Sequence, residues 1–425
     1  MLRKIFYTFW TKFITAVINF LIIIITAKYL GAEGRGTISL VVLGITLTQI
    51  FNDIIGGGAL VYLVPRVGVF KLFISAYGWT FISSAIVAVS LTFLKLIPVQ
   101  YSLHVFFLSL LQSLFTINLS LILGRENIRY HNLLNFLQII FLLAALLTIL
   151  FVFHKTELIS YFISLYISYG LVFLFSFVFI AKDIQPTSLN GLALVIKEIF
   201  RNGFFIQMAN AVQLLNYRMS YYILDHSSSG VFSGIKLVGI YSTGVAIAES
   251  LWLIRQSIAM VQFSRIANLT DIYKSRILTI QLAKLGFWAS LCCLIPLLLL
   301  PENFYTYLFG PEFISIPIII RYSSVGIISL SLSAMYSHYF SGIGKNHINT
   351  IGSGIGLVFT LFFSFLLIPS FHLTGAAITA SLSYLATSVF LFLVFVKESD
   401  FKYTELLPRI SDYHFLTNYI KNYLK

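Results

Sequence analysis

Charge is what this 425-residue sequence has least of. Asp, Glu, Lys and Arg together make 10% of it, against roughly 25% in a soluble globular domain. Such a chain cannot build an ordinary hydrated surface. That excludes a soluble enzyme, a nucleic-acid-binding domain and a disordered protein. Acid is scarcer than base, with 15 Asp and Glu against 28 Lys and Arg. Cysteine occurs twice, as the neighbours Cys292 and Cys293. Adjacent residues do not face each other on a helix, so no structural disulfide is expected. Enzyme motifs are missing as well. Gly342-Ile343-Gly344-Lys345-Asn346 is not a GxxxxGK[ST] phosphate loop, there is no HExxH, and His338, His347 and His372 stand singly. No catalytic residue, metal or cofactor is expected.

What the sequence has in excess is apolar length. Hydrophobic residues make 58% of the chain. They fall in blocks of about 20 separated by short polar breaks, the length a helix needs to cross ~30 Å of hydrocarbon. The blocks place twelve spans, near 6–28, 38–63, 73–94, 103–123, 133–153, 158–180, 203–224, 237–262, 281–300, 315–341, 350–369 and 375–396. The first block is too long for a signal-peptide core and lacks a clean small-x-small site, so it reads as a retained span. The chain is therefore expected to be an all-α polytopic membrane protein.

An even number of spans puts both termini on one side. That side carries 20 Lys and Arg, the other only Lys28, Arg35, Lys95, Lys155 and Lys236. The positive-inside rule places both termini in the cytoplasm. Arg218, Arg255 and Arg321 remain, and all three lie within spans. The sequence divides into a six-span segment at 1–180, a cytoplasmic linker at 181–202, a second six-span segment at 203–396 and an amphipathic tail at 397–425. Apolar residues at helical spacing in the linker suggest an interfacial helix. The two halves resemble each other weakly: Gly36-Thr37-Ile38-Ser39 opens span two and Gly239-Ile240-Tyr241-Ser242 opens span eight. Internal duplication is common in secondary transporters, with the substrate path between the repeats.

Polar groups in hydrocarbon need partners or a hydrated cavity, because an ionised side chain at the bilayer centre costs at least ~2.5–3.5 kcal/mol. Span one carries Thr8, Lys12, Thr15, Asn19 and Thr26 on one face. Lys12 and Asn19 are expected to line a cavity, and Thr8 and Thr26 to hydrogen-bond between helices. Span two carries Thr46, Gln49 and Asp53, followed by Gly56-Gly57-Gly58, which should loosen or kink the helix. Span seven carries Gln207, Asn210, Gln213, Tyr217, Arg218 and Ser220; span eight carries Glu249, Trp252, Arg255 and Gln256. Arg321 lies early in span ten, either lining the cavity or snorkelling to the interface. Glu249 and Arg255 are six apart, too poorly aligned for an unstrained pair. Base outnumbers acid among these residues. Guanidinium groups bind phosphate oxygens as a bidentate fork, so the cavity suits an anionic cargo better than a cationic drug. Asp53 and Glu249 are the candidate carriers of a coupling H+ or Na+.

Several ordered stretches carry a family resemblance. Leu30-Gly31-Ala32-Glu33-Gly34-Arg35-Gly36 follows span one, Asn216-Tyr217-Arg218 and Val238-Gly239-Ile240-Tyr241-Ser242 bracket the entry to span eight, and Ala248-Glu249-Ser250-Leu251-Trp252 continues it. Leu308-Phe309-Gly310-Pro311-Glu312-Phe313, Gly344-Lys345-Asn346 and Gly375-Ala376-Ala377-Ile378 follow in order. This series resembles the Wzx-type O-antigen flippases of the MOP exporter superfamily, which includes the MATE transporters. The resemblance implies two six-helix bundles around a central cavity that opens alternately to each side. It also implies an undecaprenyl-diphosphate-linked glycan as cargo, moved from the cytoplasmic to the periplasmic leaflet of the bacterial inner membrane. Membrane lipids, a polysaccharide polymerase and a chain-length regulator are the implied partners, and nucleic acid is not. By position, Arg218, Glu249, Trp252 and Arg255 belong to the cavity wall. The family's Asp two residues after the Arg is Ser220 here, which removes that acid as an ion carrier. The rival readings are a MATE-like cation antiporter, which should have an acid-lined cavity, and a membrane-embedded polymerase, which usually needs a large periplasmic loop.

Overall fold

The computed structural model describes residues 2–182, 184–227, 233–251, 262, 266 and 272–399, with backbone alone at 2–10, 12, 272 and 399. Every regular element among them is helical. Among the described residues, eight helical stretches are long and apolar enough to cross a bilayer, and two of these, Phe13–Leu63 and Asn346–Glu398, are of double length. The chain is an all-α, multi-pass membrane protein.

Helix α1 (Leu2–Asn52) contains the first span and most of the second. The sequence placed a loop at 29–37, but the structure changes direction at a single residue. Gly31 has φ 68° and ψ −178°, a backbone conformation that a residue with a Cβ rarely adopts. The glycine triplet does more than kink span two. A 3-10 turn at Asp53–Ile55 follows α1, Gly56 is extended, Gly57 has φ 48°, and a new helix α2 (Gly57–Leu63) begins. Span two is thus a discontinuous helix.

Helices α3 (Val69–Phe93), α4 (Ser102–Gly124), α5 (Ile128–Leu147) and α6 (Leu158–Ala181) follow the expected spans closely. The linker does not. Its apolar stretch and span seven form one helix, α7 (Leu192–Asp225), in place of a separate interfacial helix. No residue between them stops a helix: Gly203 keeps helical geometry while packing on another backbone. Helices α8 (Gly234–Glu249), α9 (Ile272–Leu299), α10 (Glu302–Phe309), α11 (Ile316–Gly342) and α12 (Asn346–Ser399) complete the described chain. A break at His372, three residues after Pro369, divides α12 into spans eleven and twelve.

The chain separates into two compact units. One comprises Met1–Thr243 and Glu302–Ile316, the other Gly244–Pro301 and Pro317–Lys425. Both are built in the manner of membrane bundles. Large apolar side chains such as Ile82, Ile86, Val89 and Phe93 of α3 are exposed, whereas Thr80, Ser83 and Ser84 of the same helix are buried. Small and polar residues face the other helices because lipid already satisfies apolar surface, so helix contact depends on close packing and hydrogen bonds. In the first unit Asn52 Nδ2 donates to Ser84 Oγ (2.9 Å) and Ser113 Oγ (2.7 Å), and Ser83 donates to Asn52 Oδ1. One amide thereby ties three helices together. In the second unit Gln262 Nε2 donates to Thr279 Oγ1 (3.1 Å) and to the Met335 carbonyl (2.8 Å). Asn52→Ala should strand two buried hydroxyls, those of Ser84 and Ser113, while Ser83 keeps the Trp79 carbonyl at 2.8 Å, and lower stability by about 1–3 kcal/mol. Thermal unfolding of purified protein in detergent tests this, and an unchanged melting temperature would deny the network a stabilising role.

Candidate functional site

The polar residues of the first unit gather at three places. The first is the break in span two. The Asp53 carboxyl sits in the 3-10 turn, with Oδ1 shielded from solvent and without a hydrogen bond. α7 crosses this turn backbone to backbone, since a Cβ on Gly203 would lie 2.1 Å from the Ile54 carbonyl oxygen. Gln207, one turn further along α7, reaches Gly57: its Nε2 is 3.4 Å, and Asp53 Cγ 3.6 Å, from where a Gly57 Cβ would stand. Gln207 Oε1 accepts from Asn210 Nδ2 at 3.0 Å. The broken helix therefore presents a lone acid to a buried carboxamide, Gln207, whose partner Asn210 is exposed. Asp53 and Asn210 were expected at the site; Gln207 is the buried residue that connects them.

The second place is further along α7. Arg218 lies over the Tyr221 ring, 5.4 Å from its centroid, and Gln213 Nε2 donates to Tyr217 OH at 3.1 Å. Tyr221 in turn meets Tyr241 of α8 edge to face at 5.8 Å. Arg35, assigned by the sequence to an external loop, is helical instead. The helix resumes immediately after Gly31, which puts Arg35 within its first turns. Its Nε is shielded from solvent and makes no hydrogen bond.

The third place is the crossing of α1 and α8. A Cβ on Gly36 would stand 1.9 Å from the Ile235 carbonyl oxygen, and one on Gly239 would stand 1.8 Å from the Ala32 carbonyl oxygen. Ser39 Oγ donates to Ser242 Oγ at 2.8 Å. The two segments whose sequences resemble each other thus pack on each other, Gly36 with Gly239 and Ser39 with Ser242. This reciprocity is what a local two-fold relation between repeats produces. Glu312 fastens the crossing. Its Oε2 accepts from the Ala32 amide at 2.8 Å, at the N-terminus of the resumed helix, and its Oε1 pairs with Lys236 at 2.5 Å. A carboxylate is well placed there because the first helical amides lack partners.

The remaining candidates are dispersed. Asn19 is exposed on the first half of α1 and Gln49 is half-buried on the second half. Lys12 is placed by its backbone alone. Thr26 is satisfied within its own helix, donating to the Ile22 carbonyl at 2.7 Å, where a bond between helices had been expected. In the second unit Glu249 is half-buried at the end of α8 and Arg321 is exposed on α11. Trp252, Arg255 and the tail beyond 399 lie outside the described residues.

Comparison with known structures separates fold from function. The chain aligns with an inward-closed structure of the lipid II flippase MurJ over 92% of its length and 87% of that chain, at 14% identity and a TM-score of 0.74. It aligns equally well with an inward-facing MATE-family multidrug resistance transporter of the MOP superfamily, over 91% of this chain and 94% of that one, at 14% identity and a TM-score of 0.73. The chain has the MOP-transporter fold. These structural relatives are transporters and flippases, not enzymes. A further MOP transporter, from Pyrococcus furiosus, is described as having a binding pocket of reverse polarity; it matches over 91% of this chain and 95% of that one, at 15% identity and a TM-score of 0.56. No family model matches the sequence. The chain is 28% identical over 201 residues to an uncharacterized membrane protein of Methanocaldococcus jannaschii, covering 46% of this chain and 38% of that one. It is 29% identical over 190 residues to the capsular polysaccharide biosynthesis protein CapF of Staphylococcus aureus, covering 44% and 47%. The matched stretch spans less than half the length of either relative.

Proposed function

We propose that this protein is a flippase for an undecaprenyl-diphosphate-linked oligosaccharide, the repeat unit of an O-antigen or related surface polysaccharide. It moves that unit from the cytoplasmic to the periplasmic leaflet of a bacterial inner membrane by alternating access of two six-span halves. The carrying observation is Arg218, held over Tyr221 on span seven in a chain poor in acid. A guanidinium positioned by an aromatic ring offers a fork to phosphate oxygens as they lose water, in charge-assisted hydrogen bonds worth ~1.5–3 kcal/mol each. The likeness to a lipid II flippase and to a capsular polysaccharide protein supports a lipid-linked glycan as cargo. Lys12, Asn19, Gln49, Asn210 and Gln213 supply the polar wall along which sugars slide, and a polymerase with its chain-length regulator consumes the product.

The test is Arg218→Lys and Arg218→Ala, scored for membrane abundance and surface polysaccharide together. Lysine keeps the charge and loses the fork, so Arg218→Lys should be impaired and Arg218→Ala more so, with cargo binding weakened roughly 10–100-fold. Normal polysaccharide from both variants would remove Arg218 from the mechanism. A second reading, a cation antiporter, draws on the lone Asp53 carboxyl. It forecasts that deletion of the gene changes drug or cation tolerance and leaves surface polysaccharide intact.

The orientation follows from the charge split. Reporter fusions after Arg125, Lys197, Lys345 and Lys425 should register cytoplasm, and those near Lys95, Lys236 and Glu302 periplasm. Two or more inversions would refute the orientation.

A further inference from the structure

The segment between spans nine and ten consists of α10 and the 3-10 turn Pro311–Phe313. It follows span nine of the second half, yet it packs in the first unit. Phe309 and Phe313 are fully buried there. The Phe309 ring meets Phe20 of span one edge to face at 6.2 Å, and Lys28 Nζ lies 5.8 Å over the Tyr307 ring. Beyond the Gly31 break, the Ala32 amide donates to Glu312 at 2.8 Å, and Lys236 in the first turn of α8 pairs with the same carboxylate at 2.5 Å. A Cβ on Gly31 would come within 3.1 Å of Glu312 Oε2. One short segment therefore grips span one, the start of span two and the start of span eight.

Next to this grip is the seam where α1 and α8 cross. Glycine and serine meet there: Gly36 on the Ile235 carbonyl, Gly239 on the Ala32 carbonyl, Ser39 on Ser242. Helices joined through small residues approach closely but have little side chain to interlock, so they can part and close again without repacking. The clasp beside the seam is of a different kind. The side chains of Lys236 and Glu312 keep 24% and 37% of their surface exposed, and an ion pair open to water is weak enough to break and re-form. The Ala32 amide and Lys236 hold the Glu312 carboxyl below the ordinary carboxylate range, so it stays ionised. A tight seam of small residues with a weak polar clasp beside it suits a contact that opens.

We propose that residues 302–313 are a latch: Glu312 clasps the starts of spans two and eight and must release Ala32 and Lys236 before the α1–α8 seam can part. By the charge split this end faces outside, so the latch holds the exit for cargo shut. It rests on the alternating-access part of the flippase reading and names the segment that holds one of the two states.

The experiment uses the full-length protein in spheroplasts, with Cys292→Ser and Cys293→Ser as background and Ser242→Cys as reporter at the seam. A maleimide that cannot cross the membrane should label the reporter slowly in this parent. Glu312→Gln should speed labelling at least ~tenfold, the loss of one charge-assisted bond. Lys236→Gln, which leaves the Ala32 contact in place, should fall between. Glu312→Gln that lowers the melting temperature with unchanged labelling would make the segment a structural brace and overturn the latch. In a second arm, Ser39→Cys with Ser242→Cys should form a disulfide on oxidation, stop delivery of surface polysaccharide and recover it on reduction. Full delivery by the oxidised protein would show that the seam need not part, and would also overturn the latch. The labelling arm involves no cargo. Faster labelling of Glu312→Gln in a protein whose deletion spares surface polysaccharide would uphold the latch and bring down the flippase reading. Equal labelling of Glu312→Gln, Lys236→Gln and their parent would bring down the latch alone.

Discussion

Gly239→Leu is expected to leave little correctly folded protein in the membrane. A Cβ at that position would sit 1.8 Å from the Ala32 carbonyl oxygen, and the listener on the other helix is backbone that has no rotamer to give. The α1–α8 crossing would have to open by more than an ångström. That separates Ser39 from Ser242, now 2.8 Å apart, and pulls at the Glu312 contacts with Ala32 and Lys236. Overpacking of this kind costs at least ~3 kcal/mol when the obstacle cannot relax. Gly36→Leu should behave alike, since its Cβ would meet the Ile235 carbonyl oxygen at 1.9 Å. Gly78→Ala is the control, because nothing lies within 4 Å of its added methyl; it should be neutral or slightly stabilising. Membrane abundance and the melting temperature of solubilised protein are the measurements. Gly239→Leu protein as abundant and as stable as Gly78→Ala protein would mean that the crossing is not held as described.

The second large effect is expected at Asp53. Its Oδ1 is buried and unpaired at the break in span two, against Gln207. If this acid carries the coupling ion, Asp53→Asn should abolish gradient-driven transport while cargo binding stays detectable. One charge moved across ~100 mV is worth about 2.3 kcal/mol, so the loss in driven accumulation reaches roughly 50-fold. The same substitution should not destabilise the protein, since an amide is cheaper than a carboxylate at a shielded position. Transport in proteoliposomes with and without an imposed gradient, beside a melting curve, separates the two roles. Undiminished transport in both Asp53→Asn and Glu249→Gln would leave neither acid as the ion carrier.

The local features of the fold were legible in residue order. Apolar runs of span length located the helices because each helix satisfies its own backbone and needs only lipid outside it. The glycine triplet announced the break in span two because its effect is local. The paired openings at Gly36 and Gly239 pointed to an internal repeat, and the structure brings those very residues into contact. The site was less legible. Arg35 read as a loop charge because the resumption of the helix at Ala32 depends on a single residue, Gly31, taking a left-handed φ. Gln207 read as one of several polar residues on span seven, and nothing in the order of residues said that it lies beside Asp53. Glu312 looked like part of a turn, and its partners Ala32 and Lys236 are remote in sequence.

The sequence alone thus determined that the chain crosses a membrane many times as helices, where those helices lie, and that its intramembrane charge leans cationic. These follow from composition and spacing, which act residue by residue against a uniform solvent. Only the tertiary structure decided that the linker continues into span seven, that two glycines bring α1 and α8 backbone to backbone, and that Gln207 reaches the break in span two beside Asp53. Those outcomes depend on which remote segments meet, and a contact between groups some 200 residues apart leaves no trace in the spacing of either one.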